Sequence, residues 1–232
     1  KLSMMVLKKW DELPEALKND EVRVYYDILS KKKGSLILKR LFDIAGSTLL
    51  LILLSPLFLI LAIVIKADSK GPVFFRQTRV TQYGREFKIY KFRTMVNNAE
   101  KLGSQVTTRN DSRVTKVGHF LRKYRLDEIS QLINVLTGDM TFVGTRPEVP
   151  KYLAAYTNEM MATLLLPAGV TSEASIEYKD EEKLLNSAGN VDEVYVREVL
   201  PSKMKYNEKY IQHFRFIGDI QVLINTVKAV LS

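Results

Sequence analysis

Residues 45–65 read AGSTLLLILLSPLFLILAIVI, 21 residues without a charged side chain. As a single helix the run would be about 31 Å long, the thickness of a bilayer's hydrocarbon core. Ser55-Pro56 stands at its centre. Pro56 has no N–H for the carbonyl of Ile52 and its ring crowds that turn, so a kink is expected. The Ser55 hydroxyl is placed to satisfy the freed carbonyl. Both flanks are basic, with Lys31, Lys32, Lys33, Lys39 and Arg40 before the run and Lys66, Lys70, Arg76 and Arg79 after it. Positive residues favour the cytoplasmic side, so both ends ask for the same side. The residues alone leave two readings open: an ordinary transmembrane span, and a helix that enters, bends and returns. A cleaved signal peptide is not expected, because the run starts deep in the chain and no small-residue cleavage site follows it.

The 232 residues suffice for one large domain or two small ones. An excess of 35 Lys+Arg over 26 Asp+Glu leaves a net charge of +9, which suggests an anionic partner: lipid, nucleic acid or a phosphorylated substrate. Cysteine is absent, which excludes disulfides and thiolate metal sites. His119 and His213 lie far apart in sequence and are expected at the surface or in packing rather than on zinc.

Working outward from the apolar run, residues 1–35 read as a polar extension, with Pro14 placed to open a short helix and VRVYYDIL (22–29) too apolar for a linker. It is expected to lie on the membrane surface or on the main domain. On the other side, GPVFFRQTRV and REFKIYKFRTM flank the turn TQYG and predict a β-hairpin. Residues 101–113 read as a loop, followed by a basic helix, GHFLRKYR. In RLDEISQLINVL (125–136), Ile129, Leu132, Ile133 and Leu136 share one helical face, and Asp127 and Glu128 fall in its first turn. GDMTFVGTRPEV then sets Arg146 in a Gly/Pro-containing loop. From Pro147 the chain reads as helical, interrupted at Pro167-Ala168-Gly169, with a final amphipathic helix near 219–231.

Acidic residues at a helix start ordinarily complement its dipole and cap free N–H groups. Here they stand among cations: Arg122 just upstream, with Lys91 and Arg146 available from other segments. Carboxylates, Mg²⁺ and Arg/Lys clamps together are equipment for moving a phosphoryl group. No GxxxxGK[ST] loop occurs, which disfavours a nucleotide kinase or ATPase.

The segments KRLFDIAGSTLLLILLSPLF, SKGPVFFRQTRV, FKIYKFRTM, DSRVTKVGHFLRKYRLDEISQLINVLTGDM and FVGTRP together resemble the bacterial monotopic phosphoglycosyl transferases, also called bacterial sugar transferases. The resemblance runs from about Lys39 to Pro147, with several separate motifs in the family's order. It implies a mainly helical α+β protein: an N-terminal extension over 1–35, a re-entrant membrane helix over 36–66 broken at Ser55-Pro56, and a cytosolic catalytic domain over 67–232 with a β-hairpin and membrane-associated helices. It implies transfer of a phosphosugar from a UDP-sugar to polyprenol phosphate at the cytosolic face of the bacterial membrane, giving polyprenyl-diphosphate-sugar and UMP. By resemblance Asp127 is the nucleophile that forms a covalent phosphosugar intermediate, and Glu128 is associated with Mg²⁺, with both carboxylates as metal donors. Lys91, Arg93, Arg122 and Arg146 fall on the family's basic motif positions and are expected at the substrate. Thr145 and Ser112 replace usual prolines, and VTSEASIEYKDEE (170–182) departs from a stretch expected to bear on sugar identity.

Two other readings compete with an enzyme of this kind. One is a non-enzymatic basic protein anchored to lipid; the other is a membrane-associated phosphatase with an aspartyl-phosphate. Nucleic acid is not an expected partner, because the cations bracket an apolar run rather than forming an aromatic-interleaved stripe.

Overall fold

The computed structural model describes residues 7–99, 111–178 and 191–231. Helix α1 (Asp20–Ser30) begins at Asn19, whose side chain accepts from the Val22 N–H at 2.8 Å. Its buried stripe, Val22, Tyr25, Tyr26 and Leu29, packs with Leu164, Leu165, Ile211 and Phe214. The N-terminal segment therefore shares a core with the distant end of the chain.

Helix α2 (Lys33–Asp68) is 36 residues long and the one described helix long and apolar enough to cross a membrane. The expected break at Ser55-Pro56 is not an interruption, since the chain stays helical through Pro56. Its cost is met locally: the Ser55 hydroxyl donates to the Ile52 carbonyl at 2.8 Å, the acceptor that Pro56 cannot serve. One stripe, running Asp43, Ser47, Leu51, Leu54, Phe58, Leu61 and Ile65, turns toward the protein. On the other side Leu49, Ile52, Leu53, Leu59, Ile60 and Ile63 are each more than half exposed.

Both ends of α2 are fastened to the same body. Near its start, Lys39 donates to the Val143 carbonyl (2.7 Å) and to Asp219 (2.5 Å). Arg40 donates to the carbonyls of Val135 (2.6 Å) and Leu136 (2.9 Å), while Asp43 accepts from the Phe142 N–H (3.0 Å). At its far end, Arg93 donates to the carbonyls of Ser69, Lys70 and Pro72 at 2.7–2.8 Å and of Ile65 at 3.5 Å. Asp68 accepts from the Val117 N–H, the second residue of the next helix.

The expected hairpin is present, with β1 (Phe74–Val80) antiparallel to β2 (Glu86–Phe92). Its register pairs Phe75 with Lys91, Gln77 with Ile89 and Arg79 with Phe87, so these residues share a face of the hairpin. Helix α3 (Lys116–Lys123) follows, capped by the Thr115 hydroxyl on the Gly118 N–H. Gly118 is required there, because a Cβ would sit 2.0 Å from the Thr94 carbonyl oxygen.

The segment expected as one helix from Asp127 is instead a 3-10 turn, Leu126–Gln131, leading into the short α4 (Leu132–Thr137). Of the predicted apolar face only Leu132 is fully buried; Ser130, Gln131, Asn134 and Val135 carry the rest of the buried surface. The polar ones have work to do: Asn134 joins α4 to β2 by accepting from the Tyr90 N–H and donating to the Lys88 carbonyl.

A second sheet was not anticipated. Strands β3 (Met140–Val143) and β4 (Ala168–Thr171) pair in parallel, the latter lying where the sequence reads as an interruption between helices. All of β3 is buried, so it shows no period-2 alternation to reveal it. Gly144 and Gly169 let the strand ends meet: a Cβ on Gly169 would approach the Gly144 backbone to 2.2 Å. Helices α5 (Pro150–Leu153), α6 (Glu173–Glu177), α7 (Val191–Val194, continuing as a π turn to Val199), α8 (Leu200–Gln212) and α9 (Phe216–Leu231) complete the chain. The last is the expected C-terminal helix. Most of the expected 101–113 loop, and residues 179–182 of the divergent stretch, lie outside the described residues.

Candidate active site

The dyad sits on a strained corner. Arg125 closes the turn after α3 with φ 52°, a left-handed conformation uncommon for a residue with a side chain. Its carbonyl accepts from the Glu128 N–H at 3.2 Å, so the corner and the following 3-10 turn together aim the two carboxylates. The residue at the cap position, Arg125, makes no side-chain capping bond to this turn.

Three cations converge on Glu128. Lys91, from β2, lies 3.1 Å from Oε1; Arg146, from the loop after β3, engages both oxygens; and Arg125 lies 3.9 Å from Oε2. Burial works to raise the Glu128 carboxyl, but Arg146 and Lys91 outweigh it and hold it well below the ordinary range. Asp127 is treated oppositely. Among the described residues it has no ion pair within 4 Å, and burial, helped by the Glu128 charge, pushes its carboxyl above the ordinary range while Lys91 and Arg122 pull it back. Lys91 is itself depressed by burial, with Arg146 and Arg79 adding to the effect and Glu128 opposing it.

Of the residues singled out in sequence, Lys91, Arg146, Asp127 and Glu128 are brought together, and Arg122 acts on Asp127 through its charge. Arg93 is not brought to this cluster. Arg93 is 5 % exposed and its guanidinium donates to four backbone carbonyls at and just after the end of α2, which ties down that end of the helix. Arg79 was missed. It had been counted only as a flanking charge, yet its charge acts on Lys91, and Arg146 and Glu128 in turn act on it. The signal available was its alternation with Gln77 on a strand, which gains meaning only once the register places both opposite β2. Glu148 was missed as well; it is buried, two residues after Arg146, and accepts from the Tyr195 hydroxyl.

This arrangement suits an anionic ligand: several cations, one carboxylate held in place by them and one without a direct ionic partner among the described residues. No cluster of three or more His, Cys, Asp or Glu that could hold a metal occurs among the described residues. Mg²⁺ in phosphate-transfer sites commonly takes only one or two carboxylates, the remainder being water and substrate phosphates, so Asp127 and Glu128 form a compatible donor pair.

The description "bacterial sugar transferase" belongs to the family profile that matches residues 34–232. The chain belongs to that family. It is 34% identical over 198 residues to the UDP-N-acetylgalactosamine-undecaprenyl-phosphate N-acetylgalactosaminephosphotransferase of Aeromonas hydrophila, a match covering 84% of this chain and 44% of that protein. It is 37% identical over 195 residues to the UDP-glucose:undecaprenyl-phosphate glucose-1-phosphate transferase of Escherichia coli, covering 82% and 39%. The chain thus spans less than half of the length of these two curated relatives. An uncharacterized sugar transferase of Bacillus subtilis, 32% identical over 196 residues, is matched over 88% of its length.

Within this bacterial sugar transferase the electrostatics give a direct expectation. Carbon-13 NMR of aspartate-labelled protein, with Asp127 assigned by the loss of its signal in Asp127→Asn, should show Asp127 titrating above the usual aspartate range. Lys91→Met removes the main attraction holding its proton affinity down, so that titration should move further up. A downward movement, or none, would contradict the arrangement described.

Proposed function

We propose that the chain transfers a phosphosugar from a UDP-sugar to polyprenol (undecaprenyl) phosphate through a covalent intermediate on Asp127. The observation that carries this reading is the unequal treatment of two adjacent carboxylates. Glu128 is immobilised by Lys91 and Arg146, whereas Asp127, beside the same cations, has no ion pair among the described residues. In the first step an Asp127 oxygen attacks the phosphorus bonded to the sugar, and the P–O bond to UMP breaks. In the second, a phosphate oxygen of polyprenol phosphate attacks that phosphorus, the bond to Asp127 breaks, and polyprenyl-diphosphate-sugar leaves. Covalent catalysis divides one transfer between two large substrates into two displacements.

Lys91, Arg122 and Arg146 neutralise the diphosphate, easing the approach of an anionic nucleophile. Asp127 and Glu128 would hold Mg²⁺, which when bound supplies further charge neutralisation to the phosphates. The names of both quoted relatives include undecaprenyl phosphate and a UDP-sugar, which supports the substrate classes; their sugars differ, and the sugar stays open here. A lipid-anchored binding protein would leave the paired carboxylates and their cations without a task.

We further propose that α2 does not cross the membrane but dips into its cytosolic leaflet and returns. Both its ends are bonded to one body, through Lys39, Arg40 and Asp43 at the start and Arg93 and Asp68 at the finish, while the apolar side between them is exposed.

Release of UMP should require both a UDP-sugar, offered as a panel, and added polyprenol phosphate for sustained turnover. Inorganic phosphate or free sugar phosphate as the product would favour a phosphatase, and no turnover on any donor would remove the proposal. For the topology, single cysteines at Lys33 and Lys70 in this cysteine-free chain should both react only from the cytosolic side. Labelling from opposite sides would establish a span.

A further inference from the structure

We infer that Arg79 is a second phosphate-binding arginine of this site, paired with Arg146, and that Gln77 is its positioning residue; the inference rests on the phosphosugar-transfer reading above. The hairpin register puts Gln77 and Arg79 on the same face as Lys91. Gln77 Oε1 accepts from both Nε (3.1 Å) and Nη2 (2.8 Å) of Arg79, which fixes the plane of the guanidinium. Nη1 donates to the carbonyl of Pro147 (3.1 Å), the residue that follows Arg146. Arg79 is thus tied to the loop that carries the other arginine.

These contacts use three of the five N–H groups of a guanidinium, and every acceptor is neutral. No carboxylate lies within 4 Å of Arg79 among the described residues. Glu148 attracts it, but from beyond ion-pair distance, and that carboxylate already accepts from Tyr195. The other cations nearby have carboxylate partners, Lys91 and Arg146 sharing Glu128. A half-buried guanidinium without a direct counter-ion among the described residues is costly to maintain, and burial accordingly lowers its proton affinity. Its two remaining donors, on a guanidinium tied to the loop of Arg146, match the oxygens of a diphosphate, which would supply negative charge.

A structural role would be different. If Arg79 served only to hold the Pro147 carbonyl, removing it would destabilise the unliganded protein.

The test uses the full chain in detergent micelles, measuring UDP affinity by calorimetry and the unliganded Tm by thermal scanning. For Arg79→Gln, whose amide can still donate to the Pro147 carbonyl, UDP should bind at least about tenfold more weakly, the scale of one lost charge-assisted contact. The unliganded Tm should not fall, because an unpaired charge has been removed. If Arg79→Gln does not fold, Arg79→Lys keeps the charge without the fork and should show weakened UDP binding at unchanged Tm. UDP affinity equal to wild type, or a loss of affinity accompanied by a lowered Tm, would overturn the role of Arg79 alone. A wild-type protein that does not bind UDP would overturn the underlying reading together with it.

Discussion

Two arginines bind the apolar helix to the rest of the protein through backbone carbonyls, and the position of the dyad depends on both. Arg40, in the early turns of α2, donates to the carbonyls of Val135 and Leu136, near the end of the helix that continues the dyad turn. Carbonyls at a helix end lack intrahelical donors; here a guanidinium serves Leu136 and adds to the Gly138 N–H on Val135. Arg93 does the converse, gathering the carbonyls of Ser69, Lys70 and Pro72 in the segment that joins α2 to β1. Arg40 and Arg93 are 2 % and 5 % exposed, and each carbonyl left buried without a donor on losing either would cost about 1–3 kcal/mol. Lysine would not replace them, since one ammonium cannot span several carbonyls as a planar fork does. A helix with an exposed apolar face is in this way locked in register with a polar reaction centre.

That lock explains how a charged centre sits beside an apolar surface. Leu61 and Ile65 of α2 pack with Phe92, Leu121 and Ile129, so the floor beneath the turn of Asp127 and Glu128 is the far end of the apolar helix. Above this floor the cations come from different elements: Lys91 from β2, Arg146 from the loop after β3, and Arg125 from the strained corner. Each is held by its own backbone, so their mutual repulsion is absorbed by the fold. Glu128 neutralises part of that repulsion.

Much of this was legible in the sequence. The hairpin, the basic helix, the C-terminal helix and the Ser55–Ile52 bond follow from local patterns, because turn residues, helical periodicity and a proline's missing donor act within a few residues. The parallel pair β3–β4 was not legible, since a four-residue strand buried on both sides has no alternation and its partner lies over twenty residues away. The dyad was expected on an α-helix, but the left-handed Arg125 and a 3-10 turn stand there instead; tertiary contacts such as Asn134 on β2 override the local propensity. Arg93 was misread for a related reason: KFRTM shows two cations two positions apart, and only the folded chain separates the one at the carboxylates from the one at the helix end. Arg79 was hidden among flanking charges until the strand register gave it a face.

The central claim is that Glu128 is fixed by cations so that the neighbouring Asp127 can act as the nucleophile. Intact mass spectrometry after a rapid quench tests this most directly, using protein incubated with UDP-sugars and Mg²⁺ but no polyprenol phosphate. The account predicts a mass increase of one phosphosugar with its own donor, mapped by peptide analysis to Asp127 and absent from Asp127→Asn. An adduct on another residue, or an Asp127→Asn protein of normal fold that still turns over, would contradict it.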